Sequence, residues 1–415
     1  MSASPSNLLD ALRAAVAFEP LGAPAGNLTF GKGRLDGRPL RVAIVENRIA
    51  SGSIGKAEVA KLVPLLSIVA REKAPLVVWL DSAGARVSEG LEALGAFRRL
   101  FREALAARVA GAPIAMVLGR NCFGGASMLA HLAPRRLFSQ NTQLAMSGPA
   151  ILASAAGADA LDEMFRAIAQ ATIGAAAREK ASEANRAWAP GMDVTAWLRE
   201  ALAPAAGSFD AFHERHLSLR ARLEKGLTAR QPEAMRRKEL EKLFPEGYQA
   251  LECDGVVTGE AKREGATVPL LGLVGSTPVG AERAWRFAQA AWRLAIQSPT
   301  RLEVLLDCET HAPRLEDEKV VLTEYIVDMG VALAALAARG THVELTILDR
   351  AGGGVYVALA AAATRVAVVF GADIQVLPGA AVASILGANR EAVGDPAEYR
   401  AAGVADVELK LGLPP

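Results

Sequence analysis

The feature that most restricts this chain is a layout that occurs twice. The first copy runs Asp81-Ser82-Ala83-Gly84-Ala85-Arg86, then Gly119 to Gly125 with Cys122-Phe123-Gly124-Gly125 at its end, then Ser147-Gly148-Pro149. The second runs Asp307-Cys308-Glu309-Thr310, then Asp349 to Gly354 with Gly352-Gly353-Gly354 at its end, then Leu377-Pro378-Gly379. Matching positions are offset by 226 (Asp81 to Asp307), 229 (Gly124 to Gly353) and 231 (Gly148 to Gly379). Such near-constant spacing implies two copies of one structural unit. In each copy a buried strand ends in a glycine-rich turn that opens a helix. That arrangement aims backbone N–H groups at whatever lies in front of the turn. Two such corners suggest stabilisation of two oxyanions.

The length of 415 residues exceeds what one hydrophobic core serves, so two domains are expected. Apolar residues at 51% and charged residues at 22% give a globular composition. Lys and Arg total 46 against 45 Asp and Glu, which leaves no basic excess for nucleic acid. Aromatics at 5% argue against base-stacking platforms. The three cysteines, Cys122, Cys253 and Cys308, form no CxxC, which points to a reducing compartment and away from a zinc ribbon. The first residues show no basic and apolar leader, and apolar runs such as 355–370 are interrupted by Thr364 and Arg365. A cytoplasmic protein with no membrane span is the expectation.

Each half opens with a hairpin: Gly33 to Gly37 turns into strand Leu40–Val45, and Val256–Gly265 turns into Val268–Val274. A helix follows in each, Ile54–Ala70 and Ala281–Ile296. Continuous apolar runs come next: Leu76–Leu80, Ile114–Leu118, Val304–Leu306, Val343–Leu348 and Val366–Phe370. Such runs between helices indicate sheets covered on both faces, hence an α/β fold. The Ala-rich stretch Ile151–Ala189 is expected to be helical. The reading divides the chain into an N-terminal domain at 1–188, a helical linker at 189–247 and a C-terminal domain at 248–415.

The Cys122-Phe123-Gly124-Gly125 turn carries the chemistry. Glycine lets a substrate oxygen approach without meeting a Cβ, and the first N–H groups of the following helix favour negative charge. A thioester carbonyl placed there gains a stabilised enolate, and one such donor is worth about two to three orders of magnitude in rate. Gly84 and Ala85 could supply a second donor, and Arg86 could meet a carboxylate or phosphate or pair with Glu89 on a surface turn. Ser147 stands near a helix cap and Pro149 in its first turn. In the second half, Glu309, His311, Glu316 or Glu318 could act as acid or base, although such a charged run is more often solvated. His213 and His216, three apart on one helix, lack a convincing third ligand and are read as part of a solvated linker helix. Glu233-Ala234-Met235 is like the start of a biotin attachment tetrapeptide, but Arg236 stands where the acceptor lysine would be. The chain is therefore expected to carry no biotin of its own.

Gly52-Ser53-Ile54-Gly55, Asp81 to Gly90, Cys122 to Gly125 and Ser147 to Pro149 resemble the carboxyltransferase branch of the crotonase superfamily. The likeness is nearest to the β subunit of biotin-independent malonate decarboxylase, and the second half resembles its γ subunit more weakly, as if the two were fused. The resemblance implies two crotonase-like ββα superhelix domains in tandem. It implies decarboxylation of a malonyl or substituted malonyl thioester carried on CoA or on the phosphopantetheine of an acyl carrier protein, with no covalently bound cofactor and no metal. Gly124 and Gly125 would hold the thioester oxygen beside Gly84 and Ala85, and Gly353 and Gly354 would form a second site. Arg86, Cys122, Phe123, Ser147, Gly148, Gly352 and Tyr356 would line the substrate. The alternatives are the carboxyltransferase component of a biotin-dependent acyl-CoA carboxylase, a hydratase or isomerase using Glu89 and Glu92, and a non-catalytic carrier-binding subunit. A homodimer is also expected.

Overall fold

The computed structural model describes residues 7–158, 161–203, 209–223, 227, 230–275, 277–377 and 396–411. The chain forms two compact units that exchange segments in sequence. Unit 1 comprises Met1–Arg86, Glu103–Ser208 and Pro313–Thr323; unit 2 comprises Val87–Arg102, Phe209–Ala312 and Glu324–Pro415. The segment 189–247 is thus divided, 189–208 going to unit 1 and 209–247 to unit 2.

In unit 1 the strands are β1 (Glu19–Pro20), β2 (Leu28–Leu35), β3 (Arg38–Val45), β4 (Leu76–Ser82), β5 (Ile114–Phe123), β6 (Arg135–Phe138), β7 (Gln143–Ala145) and β8 (Asn185–Ala187). Among the described residues they form one sheet ordered β1-β2-β3-β4-β5-β6-β8, with β7 on the far end of β5. The β1–β3 meander is antiparallel and everything beyond β3 is parallel. The β2–β3 turn falls at Asp36-Gly37, both at positive φ, as the glycine spacing predicts. Parallel strands covered on both faces account for the unbroken apolar run of β4. The stretch expected to be wholly helical up to Ala189 is helical over Pro149–Ala155, Glu163–Ile173 and Ala175–Ala181, but then adds β8 to the sheet edge. Short-range Ala preference is overridden there by an open strand edge at β6.

Unit 2 repeats the plan. Its strands are β9 (Glu233–Ala234), β10 (Tyr248–Cys253), β11 (Val256–Arg263), β12 (Ala266–Val274), β13 (Arg301–Asp307), β14 (His342–Ile347), β15 (Arg350–Gly352), β16 (Arg365–Val369), β17 (Asp373–Gln375) and β18 (Val407–Leu409). Among the described residues the order is β18-β16-β14-β13-β12-β11-β10-β9, antiparallel up to β12 and parallel beyond, with β15 and β17 as a separate parallel pair. Each unit is an α/β crotonase-like domain in which a hairpin feeds a parallel sheet. Its core is the apolar face of that sheet, for example Val42, Ile44, Val77 and Val117 in unit 1 and Leu270, Val274 and Leu305 in unit 2. No described helix is long and apolar enough to cross a membrane.

Candidate active site

Unit 1 places its corner where β5 runs into helix Gly125–Leu132. Gly124 caps that helix at φ 53° and ψ −127°, a conformation that essentially only glycine adopts. Its N–H donates to Met146 O at 3.1 Å and Ala145 O at 3.2 Å. Gly124 therefore braces the turn and does not serve as an oxyanion donor, a correction to the expected role. The next N–H, that of Gly125, has no partner among the described residues.

A second N–H approaches from the end of β4. Gly84, at φ 97°, lies so close to the turn that a Cβ there would sit 2.7 Å from Phe123 O and 3.1 Å from Gly125 N. Only glycine permits this approach. Ile54 N–H donates to Gly84 O and Arg86 N–H donates to Ile54 O, which leaves the Ala85 N–H facing away from Ile54, without a partner among the described residues. The Gly52–Gly55 loop thus sets the Ala85 peptide, and Glu58 sets the loop. Its fully buried carboxylate accepts from Asn27 N–H at 2.8 Å, Gly55 N–H at 2.9 Å and Arg86 Nη2 at 2.5 Å. Burial pushes Glu58 up, but these donors outweigh it and hold the group below the usual carboxylate range. Arg86, expected to meet a substrate anion or Glu89, is committed to Glu58 and to Ser53 O at 2.7 Å.

Other expected residues divide. Gly148 faces the Phe123 ring, which a Cβ would meet at 3.4 Å, and Phe123 packs on the cluster around Leu152, Phe165 and Ile173. Ser147 is buried and its N–H donates to Glu318 at 3.0 Å. Cys122 is fully buried, and burial raises its thiol far above the ordinary range, so it does not line a substrate.

Unit 2 builds the same corner. Gly353 sits at φ 52° where β15 enters helix Gly353–Ala362, and the Gly354 N–H has no partner among the described residues. Val279 bridges His311 as Ile54 bridges Ala85, with matching bonds from Val279 N–H to Thr310 O and from Ala312 N–H to Val279 O. Thr310 and His311 thus occupy the places of Gly84 and Ala85. Counting four residues on from Asp81 and from Asp307 reaches Ala85 and His311, so the spacing in the sequence carries this correspondence. His311 is buried, its Nδ1 lies 3.1 Å from Thr310 Oγ1, and desolvation pulls its pKa down to about 4, so the ring is neutral at neutral pH. Gly352 is pressed between Gln375 O and Glu309 O. Tyr356 is a further correction: it is fully buried, with its hydroxyl donating to Val404 O, and belongs to the interior of unit 2. Pro378 and Gly379 lie outside the described residues.

The charged run Asp307–Lys319, read as solvated, is so only in part: Glu309, Arg314, Glu316 and Lys319 are exposed. Asp307, His311, Asp317 and Glu318 are all buried, with Asp307 paired to Arg237 at 2.6 Å and Glu318 to Arg178 at 2.9 Å. His216 is likewise buried, 2.7 Å from Asp328 and stacked on Trp285. Asp307, Glu318 and His216 meet partners far away in sequence, which local patterning does not reveal, whereas Asp317 pairs with Arg314 three residues before it at 2.7 Å.

The carboxyl transferase domain family matches residues 6–277, more than half of the chain. Over 151 residues the chain is 28% identical to the methylmalonyl-CoA carboxyltransferase 12S subunit of Propionibacterium freudenreichii subsp. shermanii, covering 36% of this chain and 29% of that one. Over 141 residues it is 30% identical to the methylmalonyl-CoA decarboxylase subunit alpha of Veillonella parvula, covering 34% and 28%. The matched stretch therefore spans under a third of the length of these relatives. A Pseudomonas malonate decarboxylase hetero-tetramer in complex with malonate has a chain that is 23% identical, with TM-score 0.43, covering 55% of this chain and 95% of that one. On the family match, the chain belongs to the carboxyl transferase domain family.

Proposed function

We propose that the chain moves a carboxyl group at the α-carbon of an acyl thioester, with the thioester oxygen held by the N–H groups of Ala85 and Gly125. The observation that supports this is the pair of peptide donors without partners among the described residues, brought together by a glycine at φ 97°. When the α-carboxylate leaves, the electron pair of the breaking C–C bond moves into the thioester and its charge arrives on that oxygen. The two donors and the helix behind Gly125 meet the charge as it forms, which stabilises the transition state more than the neutral thioester. In the reverse direction the enolate carbon attacks the carboxyl carbon of a carboxylated donor. A biotin borne by a partner protein is the proposed carboxyl carrier, in keeping with Arg236 in place of an acceptor lysine. CoA is the proposed acyl carrier, and no covalently bound cofactor is needed. The family match favours transfer over the simple decarboxylation first read from the sequence. Biotin-independent decarboxylation remains the second reading; the name of the decarboxylase relative is in keeping with loss of the carboxyl group and says nothing of biotin.

The test is incubation of the purified protein with malonyl-CoA, methylmalonyl-CoA or a malonyl carrier protein, with free biotin present or absent. Carboxyl loss that needs biotin and is blocked by avidin is the expected result. Carbon dioxide release without biotin would select the second reading, and no carboxyl loss from any substrate would overturn both.

A further inference from the structure

We propose that Glu318, acting with Arg178, is a positioning residue for the Gly124–Gly125 corner. What the corner holds rests on the carboxyl-transfer reading; the positioning itself does not. Both side chains belong to unit 1, Glu318 fully buried and Arg178 1% exposed. Glu318 Oε1 accepts Ser147 N–H at 3.0 Å, and Oε2 accepts Arg178 Nη2 at 2.9 Å. Arg178 Nε donates to Leu144 O at 2.7 Å and Nη1 to Glu318 O at 2.5 Å. The run 144–147 is therefore gripped at Leu144 and Ser147.

Within that run, Ala145 O and Met146 O receive the Gly124 N–H. On the other face of the turn Ser127 Oγ donates to Gly124 O at 2.7 Å. The peptide that precedes the Gly125 N–H is thus oriented by a strand end, and the strand end by the ion pair. Desolvating two charges largely offsets their attraction, so a buried pair of this kind adds little net stability over apolar side chains. Its effect here is directional. A guanidinium fork and a carboxylate fix three backbone groups at once, which no apolar contact does. The run Asp307–Lys319, read in sequence as solvated, supplies the carboxylate.

Glu318→Gln is the test, with Arg178→Lys as the milder variant should the first not fold. A small displacement of a donor costs roughly 10- to 100-fold in rate. The expected result is a fall of that size in kcat with KM within about threefold. Alongside it, hydrogen exchange at the Gly124 amide should quicken at least about tenfold while β4 amides keep their protection. Loss of rate with no change in Gly124 exchange, or faster exchange throughout unit 1, would overturn the positioning role. If the wild-type protein turns over no acyl thioester, the carboxyl-transfer reading fails, and exchange at Gly124 alone still decides the positioning.

Discussion

The two glycine corners share a backbone and differ in what fills it. Gly124 and Gly353 have φ of 53° and 52°, each opens a helix, and each lies opposite a bridged peptide at Ala85 or His311. In unit 1 the facing residue is Gly84, so the corner is bare backbone on both sides. In unit 2 the facing residue is Thr310, whose hydroxyl occupies the space a Gly353 side chain would need, and a neutral imidazole follows. The duplicated fold thus fixes where amides point, and side chains decide what each corner accepts. A bare amide pair suits an anionic oxygen, whereas a hydroxyl and a neutral imidazole suit a polar uncharged group.

The strongest way to break this contrast is Gly84→Ala. Its methyl group would sit 2.7 Å from a backbone carbonyl that has nowhere to go. Separation of the Ala85 and Gly125 donors should then cost about 10²- to 10³-fold in kcat, the range for losing one oxyanion donor. Steady-state rates on the substrate found active would check it. Near wild-type turnover in a folded Gly84→Ala protein would mean that unit 1 does not hold the reacting oxygen this way.

The next test sharpens the character of unit 2. His311 has its pKa depressed by burial to about 4, against about 6.5 when unfolded. Above pH 6.5 both states are neutral at this ring and it contributes nothing to the slope. As pH falls from about 6.5 to about 4, only the unfolded chain takes up the proton, so stability is lost progressively over that window. The loss is on the order of 3 kcal/mol. Urea midpoints across this range should fall more steeply for the wild type than for His311→Gln. Parallel curves would show that the ring is solvated and that unit 2 is not a neutral corner.

The repeat, the strand runs and both glycine corners were legible because they rest on local rules: apolar runs bounded by glycine, and turns that need positive φ. Ionic partners were not. Glu318 stands among Glu316, Asp317 and Lys319, a pattern that reads as surface, yet Arg178 reaches it across 140 residues of sequence. Arg86 invites a substrate anion until Glu58, 28 residues away, is seen to hold it. Gly124 illustrates a finer limit. Its place in the turn followed from sequence, but its N–H is spent on Met146 O, and only the register of β5 with β7 settles that.

A smaller effect separates the corners by the kind of atom that limits them. Gly353→Ala should cost about 2 kcal/mol, part from positive φ and part from the Thr310 hydroxyl. Thr310→Ala removes that hydroxyl, so the double variant should regain about half the loss, read from thermal or urea unfolding. Gly84→Ala has no matching suppressor, because its obstacles are main-chain atoms. Strict additivity in the Gly353–Thr310 cycle would show that the two positions do not compete for space.

The smallest expected change concerns Tyr356, whose place in the sequence suggested a substrate contact. Its hydroxyl is buried, donates to Val404 O, and is held above the ordinary phenol range by desolvation. Tyr356→Phe deletes one donor and leaves one buried carbonyl without it, a loss of about 1 kcal/mol. KM and kcat should stay within about twofold of wild type, since losing an interaction that never touches substrate leaves both unchanged. A tenfold rise in KM with unaltered stability would instead return Tyr356 to the binding surface, and would mean that the helix behind Gly353 opens to ligand in a way the helix behind Gly124 has no need to.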